Sequence, residues 1–376
     1  MNREDFMKKY GLYQSDSANC YLSKWNNQFR LLRPVVNKSL PSTVCQNSST
    51  AQIWLQSDAC RFSKQGSCTC CDYFQGETDT DQVEAFKIAL KKIQPNTDTI
   101  VLNTCGSVLD EAELKREVLS QIIELTRQTE VQTFVLETHI TTINGRILKY
   151  IHSIKGRLDI FFEIGIESLD DDIQRFILNK IPFQRNIRGT IDMIHRYGFK
   201  VTANVMTGFP FMERDAQICD GIRSIRKLLD YKADFIVLFP VNIKKYTLMY
   251  HLYKKKMYSP PDGRILLDIL LALSEEELEN INTAWYGEPR IEIPGYRQDD
   301  MITPYYCNVC YKPMMDLWLA YNCAESGAER RKILLKMNAE PCDCRKEHKA
   351  EYFDSGIDYV QLDTCYERLK CELGGL

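Results

Sequence analysis

The stretch SDACRFSKQGSCTCCDYFQG, residues 57–76, sets Cys60, Cys68 and Cys71 at a C-x7-C-x2-C spacing directly after a short apolar run, IWLQS at 53–57. Cys70 stands beside Cys71, so the hook has two candidates for its last thiol; Cys71 completes CxxC with Cys68 and Cys70 is read as a packed neighbour. Iron–sulfur clusters normally take one thiolate per iron, so a set of three leaves either a ligand from elsewhere or one iron open to a substrate. A zinc knuckle would need a fourth ligand nearby, and reduced thiols without metal are the remaining alternative. Position favours the cluster, because a loop after the first strand of a parallel β/α fold lies where such folds gather ligands.

Outward from this loop, short apolar runs alternate with amphipathic stretches, which is the pattern of βα units. Strands are predicted at 53–57, TIVLNT (99–104), TFVLE (133–137), DIFFEIG (159–165), KVTANVM (200–206) and DFIVLF (234–239). Between them VEAFKIALKKI, EAELKREVLSQIIELTRQ and IRGTIDMIHRYG carry apolar residues three and four apart, as helices do. Six such units predict an α/β fold, a partial (β/α)6 barrel of the TIM type. Residues 1–50, polar and aromatic without a sustained period, read as an N-terminal wrap, and 51–262 as the barrel. Residues 263–376 hold one apolar helix after Pro260 and Pro261, then a charged, Cys-rich tail without a βα period.

The chain of 376 residues is 44% hydrophobic and 26% charged, enough for such a barrel and a smaller appendage. A net charge of -3 neither requires nor excludes a nucleic-acid partner. Fifteen cysteines without a signal-peptide pattern read as thiols and ligands in a reducing, cytoplasmic setting. The apolar run ILLDILLAL at 265–273 is far short of the roughly 20 residues a membrane span needs, so no membrane association is expected. Phosphate-loop, HExxH and dinucleotide glycine motifs are absent. KKKMY (254–258) and ERRKILLKM (329–337) are basic stretches, read as solvated helix faces or, alternatively, phosphate contacts.

The tail repeats the cysteine theme. PYYCNVCYKP supplies Cys307 and Cys310, and EPCDCRKEH supplies Cys342 and Cys344, with His348 close by. Four thiolates suit tetrahedral zinc or a second 4Fe-4S cluster, and the spacing alone does not choose between them.

Read together, GSCTCCDY (66–73), NTCGSVLDEAEL (103–114) and FEIGIESLDDDIQRFILNK (162–180) resemble the radical S-adenosylmethionine (SAM) superfamily, in the branch of the Elongator catalytic subunit and oxygen-independent coproporphyrinogen oxidase. Within that branch the sequence is most similar to the archaeosine synthase radical SAM subunit family, with its GCxxC loop, SGSxLDxxE turn, GxE strand end followed by NK, and PFxxExEA stretch. Here these stand as GSCTCCDY, CGSVLDEAE, GIESLDDDIQRFILNK and PFMERDA (210–216), followed by VNIKKYTLMYHLYKKKMYSPP (241–261). The chain departs from that pattern at Cys105, where the family has serine, at Ile181, where it has glycine, and at GFP, 208–210.

The resemblance implies that Cys60, Cys68 and Cys71 hold a 4Fe-4S cluster whose open iron is chelated by SAM. Reductive cleavage of SAM to a 5′-deoxyadenosyl radical would then allow hydrogen abstraction from a substrate, with flavodoxin or ferredoxin as electron donor. It further implies that Tyr73 joins the SAM site and that Thr104, Cys105, Gly106 and Ser107 present backbone groups to the methionyl amine. Glu137 and Glu167 would touch the methionine or ribose parts, with Glu163 and Asn204 beside them. Glu163, Gly165 and Glu167 alternate along one strand and so share a face. The implied substrate is a deazaguanine-type nucleoside in tRNA, the alternative a peptide or small metabolite. A non-catalytic zinc-binding protein is the reading from another class.

Overall fold

A computed structural model describes residues 1–12, 19–32, 42–47, 49–73, 76, 80–180, 186–260, 262–284, 301–304, 306–340, 342 and 356–375. The chain opens with helices α1 (Arg3–Tyr10) and α2 (Cys20–Arg30) and strands β1 (Ser42–Asn47) and β2 (Thr50–Leu55). There follow α3 (Arg61–Lys64), α4 (Gln82–Leu90), β3 (Thr99–Asn103), α5 (Arg116–Arg127), β4 (Thr133–Thr138), α6 (Gly145–Ile154) and β5 (Asp159–Glu167). A π-helical turn (Ile173–Leu178) leads to α7 (Ile187–Arg196), β6 (Lys200–Thr207), α8 (Arg214–Asp230), β7 (Phe235–Pro240), β8 (Ile243–Lys244) and α9 (Leu248–Lys254). The remainder is α10 (Ile265–Leu271), α11 (Glu275–Leu278), β9 (Ile281–Thr283), β10 (Met301–Ile302), α12 (Tyr311–Cys323), α13 (Gly327–Ala339) and α14 (Tyr359–Leu373).

The main sheet runs in the order β1-β2-β3-β4-β5-β6-β7-β9, all pairs parallel except β1 with β2. This is the expected α/β half-barrel, a curled parallel sheet with a Cys-rich C-terminal region. All six predicted strands are present as β2 to β7, and the sheet gains an edge at each end. The first strand begins earlier, at Thr50, because it pairs with β1, and it ends at Leu55 because Gln56 and Ser57 have already left the ladder. β9 contributes a seventh parallel strand of three residues, too short to register as a period. The stretch read as helical from residue 111 becomes regular only at Arg116, since Glu113 turns inward to cap the preceding loop.

Alternation along the strands divides the sheet into two faces. Ala51, Ile53, Ile100, Leu102, Phe134, Leu136, Phe162, Ile164, Val201, Ala203, Ile236 and Leu238 form one buried core with the covering helices. The residues between them, among them Trp54, Asn103, Glu137, Glu163, Gly165 and Asn204, line the concave side. Side-chain caps start several of the covering helices: Asp81 accepts from Glu84 N at 3.0 Å before α4, and Asn144 accepts from Arg146 N and Ile147 N, each at 3.1 Å, before α6.

A second core lies at the end of the strands from which the loops emerge. Phe6, Trp25, Phe176, Met206, Phe209, Ile243, Leu248, Leu362 and Tyr366 join α1, α2, the π-helical turn, α9 and α14. Phe6 is fully buried and has its ring 4.8 Å from Tyr10, 5.4 Å from Phe176 and 5.1 Å from Tyr366. Both chain termini therefore pack onto the ligand side of the barrel. Phe6→Ala is expected to cost about 3–5 kcal/mol, as aromatic truncation in a well-packed core does, read as a lower urea midpoint with an unchanged slope.

Candidate active site

The loop from Cys60 to Cys71 is held by side chains from elsewhere. Cys60 N donates to Tyr73 O at 3.0 Å and Cys71 N to Cys68 O at 2.9 Å, while Cys68 and Thr69 donate to the carbonyls of Asn179 and Leu178 at 3.2 and 2.9 Å. From α2, Asn26 donates to Gly66 O at 3.2 Å, and the buried Arg30 guanidinium donates to Ser67 O at 2.6 Å and to Cys68 O and Cys71 O at 3.3 Å each. Burial lowers the Arg30 pKa, and the neighbouring thiols oppose that fall. A cation lodged beneath this loop suits a site that carries negative thiolates.

The thiols themselves are pushed up by burial, Cys60 to about 11 and Cys70 to about 12, with Cys71 also well above its usual value. They are poor thiolates until a metal or cluster supplies the positive charge. Cys70 packs against the second core. Among the described residues, the sulfurs of Cys60, Cys68 and Cys71 do not converge as a single-ion site does.

Residues 104–107 form the wall against which Cys60 rests. Cys105 N donates to Ser57 Oγ at 3.1 Å, Ser107 N to Glu113 Oε2 at 3.1 Å and Thr104 Oγ1 to the same oxygen at 3.0 Å. In a planar trans peptide the carbonyl points opposite to the N–H, so the carbonyls of Thr104 and Gly106 face away from Ser57 and Glu113. A Cβ on Gly106 would stand 2.6 Å from Glu113 Oε1, 2.7 Å from Cys60 Cβ and 2.9 Å from Cys60 Sγ. No side chain fits there. The Ser107 hydroxyl is buried in a trio with Thr138 Oγ1 at 2.7 Å and Thr142 Oγ1 at 2.9 Å and accepts from His139 N at 3.2 Å, so it is engaged within the protein.

Across the concave face runs a belt of polar side chains. Asn103 Nδ2 donates to Glu137 Oε2, Glu137 stands in register with Glu163, and Asn204 Nδ2 donates to Glu163 Oε1 at 2.8 Å. Burial, reinforced by Glu163, pushes Glu137 up to about 8, and burial likewise raises Glu163. Two carboxyls on adjacent parallel strands cannot both ionise cheaply, so near neutrality the pair retains a proton. The side-chain oxygens of Asn103 and Asn204 are buried acceptors without a protein partner. The belt thus offers donors and acceptors together, as binding a diol or a nucleobase edge requires.

Glu167 lies past a bulge after Gly165, at φ 62°, and forms a buried ion pair with Lys180, whose Nζ also donates to Gly165 O at 2.9 Å. A Cβ on Gly165 would stand 2.7 Å from Glu167 Oε1 and 2.9 Å from Lys180 Nζ, so the glycine keeps this ion pair folded over the strand. On the other side Tyr73 lies 5.9 Å from Trp54, centroid to centroid, and 4.3 Å beneath Lys244 Nζ, which pairs with Asp72 at 3.2 Å.

Every residue singled out around the barrel therefore has a described position: Cys60, Cys68 and Cys71 in the loop, Tyr73 beside Trp54, 104–107 against Cys60, and Glu137, Glu163 and Asn204 in the belt. Glu167 is engaged by Lys180. Of the tail cysteines, Cys307, Cys310 and Cys342 come together elsewhere, whereas Cys344 and His348 lie outside the described residues, as does Ile181. Of the basic stretches, Arg330 is buried and donates to Leu278 O and Asn282 Oδ1, each at 2.9 Å, so it braces the fold and is withdrawn from any phosphate. Lys255 is exposed and pairs with Glu372 at 3.3 Å. No described helix is long and apolar enough to cross a membrane.

Sequence reasoning missed Arg30, Ser57, Asn103, Glu113, Lys180 and Lys244 as site residues. Asn103, Glu113 and Lys180 sit inside the quoted motifs, and their types were the available signal. Arg30 had none, being distant in sequence and unmarked by spacing.

No family model matches the chain. It is similar to archaeosine synthase subunit beta of Methanosarcina acetivorans, 24% identical over 310 residues that cover 80% of this chain and 84% of that one. It is also similar to archaeosine synthase subunit beta of Thermococcus kodakarensis, 28% identical over 182 residues, 48% of this chain and 56% of that one. Among solved structures it resembles a queuine lyase from Clostridium spiroforme bound to SAM and queuine, with a TM-score of 0.39 and 21% identity over 54% of this chain and 81% of that one.

The raised Glu137–Glu163 pair fixes a sign for pH. A carboxyl whose folded pKa lies above its unfolded value binds more protons when folded, so stability falls as pH rises through that interval, here from about 4.5 to about 8. Glu163→Gln removes the like charge, so the drop in melting temperature between these pH values should be smaller in the variant than in the parent. An identical pH slope in the two proteins would show that the pair carries no excess proton.

Proposed function

We propose that this chain, an enzyme of the radical SAM type, holds a 4Fe-4S cluster on Cys60, Cys68 and Cys71, seats SAM against residues 104–107, and removes a hydrogen atom from a substrate above the concave face. The observation that carries the reading is the direct apposition of Cys60 and Gly106. It sets the cysteine loop beside a turn whose Thr104 and Gly106 carbonyls, turned away from Ser57 and Glu113, suit a ligand's ammonium group, so one small molecule can reach both.

Once bound, the cluster and SAM supply one-electron cleavage to a 5′-deoxyadenosyl radical. The chain's own part is binding and shielding. The Thr104 and Gly106 carbonyls would accept from the methionyl ammonium, and the Glu137–Glu163 pair would accept from and donate to the ribose hydroxyls. Arg30 offsets the thiolate charge from beneath. Trp54 and Tyr73 flank the loop with aromatic surface that limits access of water and quenching groups.

The similarity to archaeosine synthase beta subunits supports a deazaguanine-type nucleoside in tRNA as substrate and a partner subunit; flavodoxin or ferredoxin is the class of electron source that reductive cleavage of SAM calls for. A peptide or small metabolite is the second reading, favoured by the burial of Arg330, which takes a cation away from any RNA-facing surface. A cytoplasmic setting fits the reduced thiols.

Anaerobically reconstituted protein should convert SAM to 5′-deoxyadenosine with dithionite, and Cys68→Ala should abolish it. Gly106→Ala should reduce both iron content and product at least tenfold, about the effect of 1.4 kcal/mol. Cluster-replete protein that leaves SAM intact would refute the reading and return the loop to a structural metal site. Comparing modified tRNA with the free base as hydrogen donor, by deuterium transfer into 5′-deoxyadenosine, separates the two substrate classes.

A further inference from the structure

Cys307 Sγ lies 3.5 Å from Cys310 Sγ and 3.1 Å from Cys342 Sγ, and all three sulfurs fall within 4.8 Å of one another. Thiolates around tetrahedral zinc, at Zn–S of about 2.3 Å, stand about 3.8 Å apart. Thiolates on separate irons of a cluster are held further apart by the inorganic core. The tail set has the spacing of a single ion.

We propose that Cys307, Cys310 and Cys342 bind one zinc ion, with the last tetrahedral position left to a further donor, and that this ion is a staple for the active-site wall. Cys307 and Cys310 form the turn that starts α12, with Tyr311 N donating to Cys307 O at 2.9 Å, and Cys310 is buried in the main core. Cys342 follows the end of α13, so the ion closes the α12–α13 hairpin at its open end.

That hairpin holds the barrel's last strand. Asn322 Oδ1 accepts from Thr283 N at 2.9 Å, and Arg330 donates to Asn282 Oδ1 at 2.9 Å. Next to the thiols, Tyr306 donates to Gly263 O at 2.8 Å and accepts from Trp318 Nε1 at 2.8 Å. A few residues upstream, β10 pairs Met301 with Lys244 and Ile302 with Ile243, and Lys244 is the cation over Tyr73 and Asp72. The zinc therefore fixes the far end of the segment that holds Lys244 at the cysteine loop.

The test is metal content by mass spectrometry on the full chain, with and without iron–sulfur reconstitution. Purified protein should hold about one zinc per chain whether or not the cluster is present, as an independent structural site does. Cys307→Ser and Cys342→Ser should each lower zinc at least tenfold and leave the reconstituted iron unchanged. Cys323→Ser, exposed on the same hairpin, should retain the zinc. Cobalt substitution should give the strong visible bands of a tetrahedral thiolate site, and chelation should red-shift the emission of Trp318, judged against Trp318→Phe. Iron and sulfide that vanish with Cys307→Ser, a Cys307–Cys342 disulfide, or wild-type protein without zinc would each overturn the proposal.

Discussion

The loop from Cys60 to Cys71 closes only local turns of its own, such as Lys64 N to Cys60 O and Cys71 N to Cys68 O, so its remaining peptide groups must be satisfied from outside or pay the cost of burial. Much of the molecule outside the barrel supplies those partners. Arg30 and Asn26 reach its carbonyls from α2, and the peptides of Leu178 and Asn179 accept its amides. The second core then explains why both termini return to this end. Phe6, Trp25 and Tyr366 lock α1, α2 and α14 onto the π-helical turn, and that turn feeds Asn179 and Lys180 into the site. Stability and function are coupled here, because the aromatic packing holds the donors that shape the thiol loop.

The concave face follows a different rule. A parallel strand buried under helices on one side has its other side free for chemistry, and the belt from Asn103 to Asn204 uses that freedom. Burial raises both carboxyls and Glu163 raises Glu137 further, while the carboxamides beside them supply one donor each without cancelling the charge. A Lys in place of either Asn would neutralise the pair and remove the shared proton. Asparagine leaves the pair its shared proton and its negative charge, and keeps the belt able to donate and accept.

The barrel was legible in the sequence because its strands are uniform: each has a buried face of Ile, Leu, Val, Phe or Ala at period two, flanked by helices of period near four. The edges were not legible for the same reason. β1 reads STVCQN, largely polar, and pairs on one side, while β9 is INT, shorter than any period can reveal. The motif residues came through where chemistry constrains type, as at Gly106, Gly165 and the glutamates. Glu113 looked like the start of a helix because Glu is a good helix former in a first turn; its actual task, accepting from Thr104 and Ser107, depends on a turn geometry that no spacing encodes. Arg30 is the extreme case, since only the folded chain brings α2 under the loop.

The tail follows from the same need for external support. An open parallel sheet must end on an edge, and β9 has only three residues with which to hold its place. Arg330 and Asn322 bind it from α13 and α12, so its position is only as firm as the hairpin that carries them. Trp318, Tyr321, Leu334 and Met337 seat the hairpin in the main core, and the three converging thiols stand at its open end. The chain leaving β10 reaches the same point after crossing β8, which presents Lys244 to Tyr73 and Asp72. Cys307, Cys310 and Cys342, more than 230 residues beyond the loop in sequence, thus bear on it through one strand pair, β10 with β8.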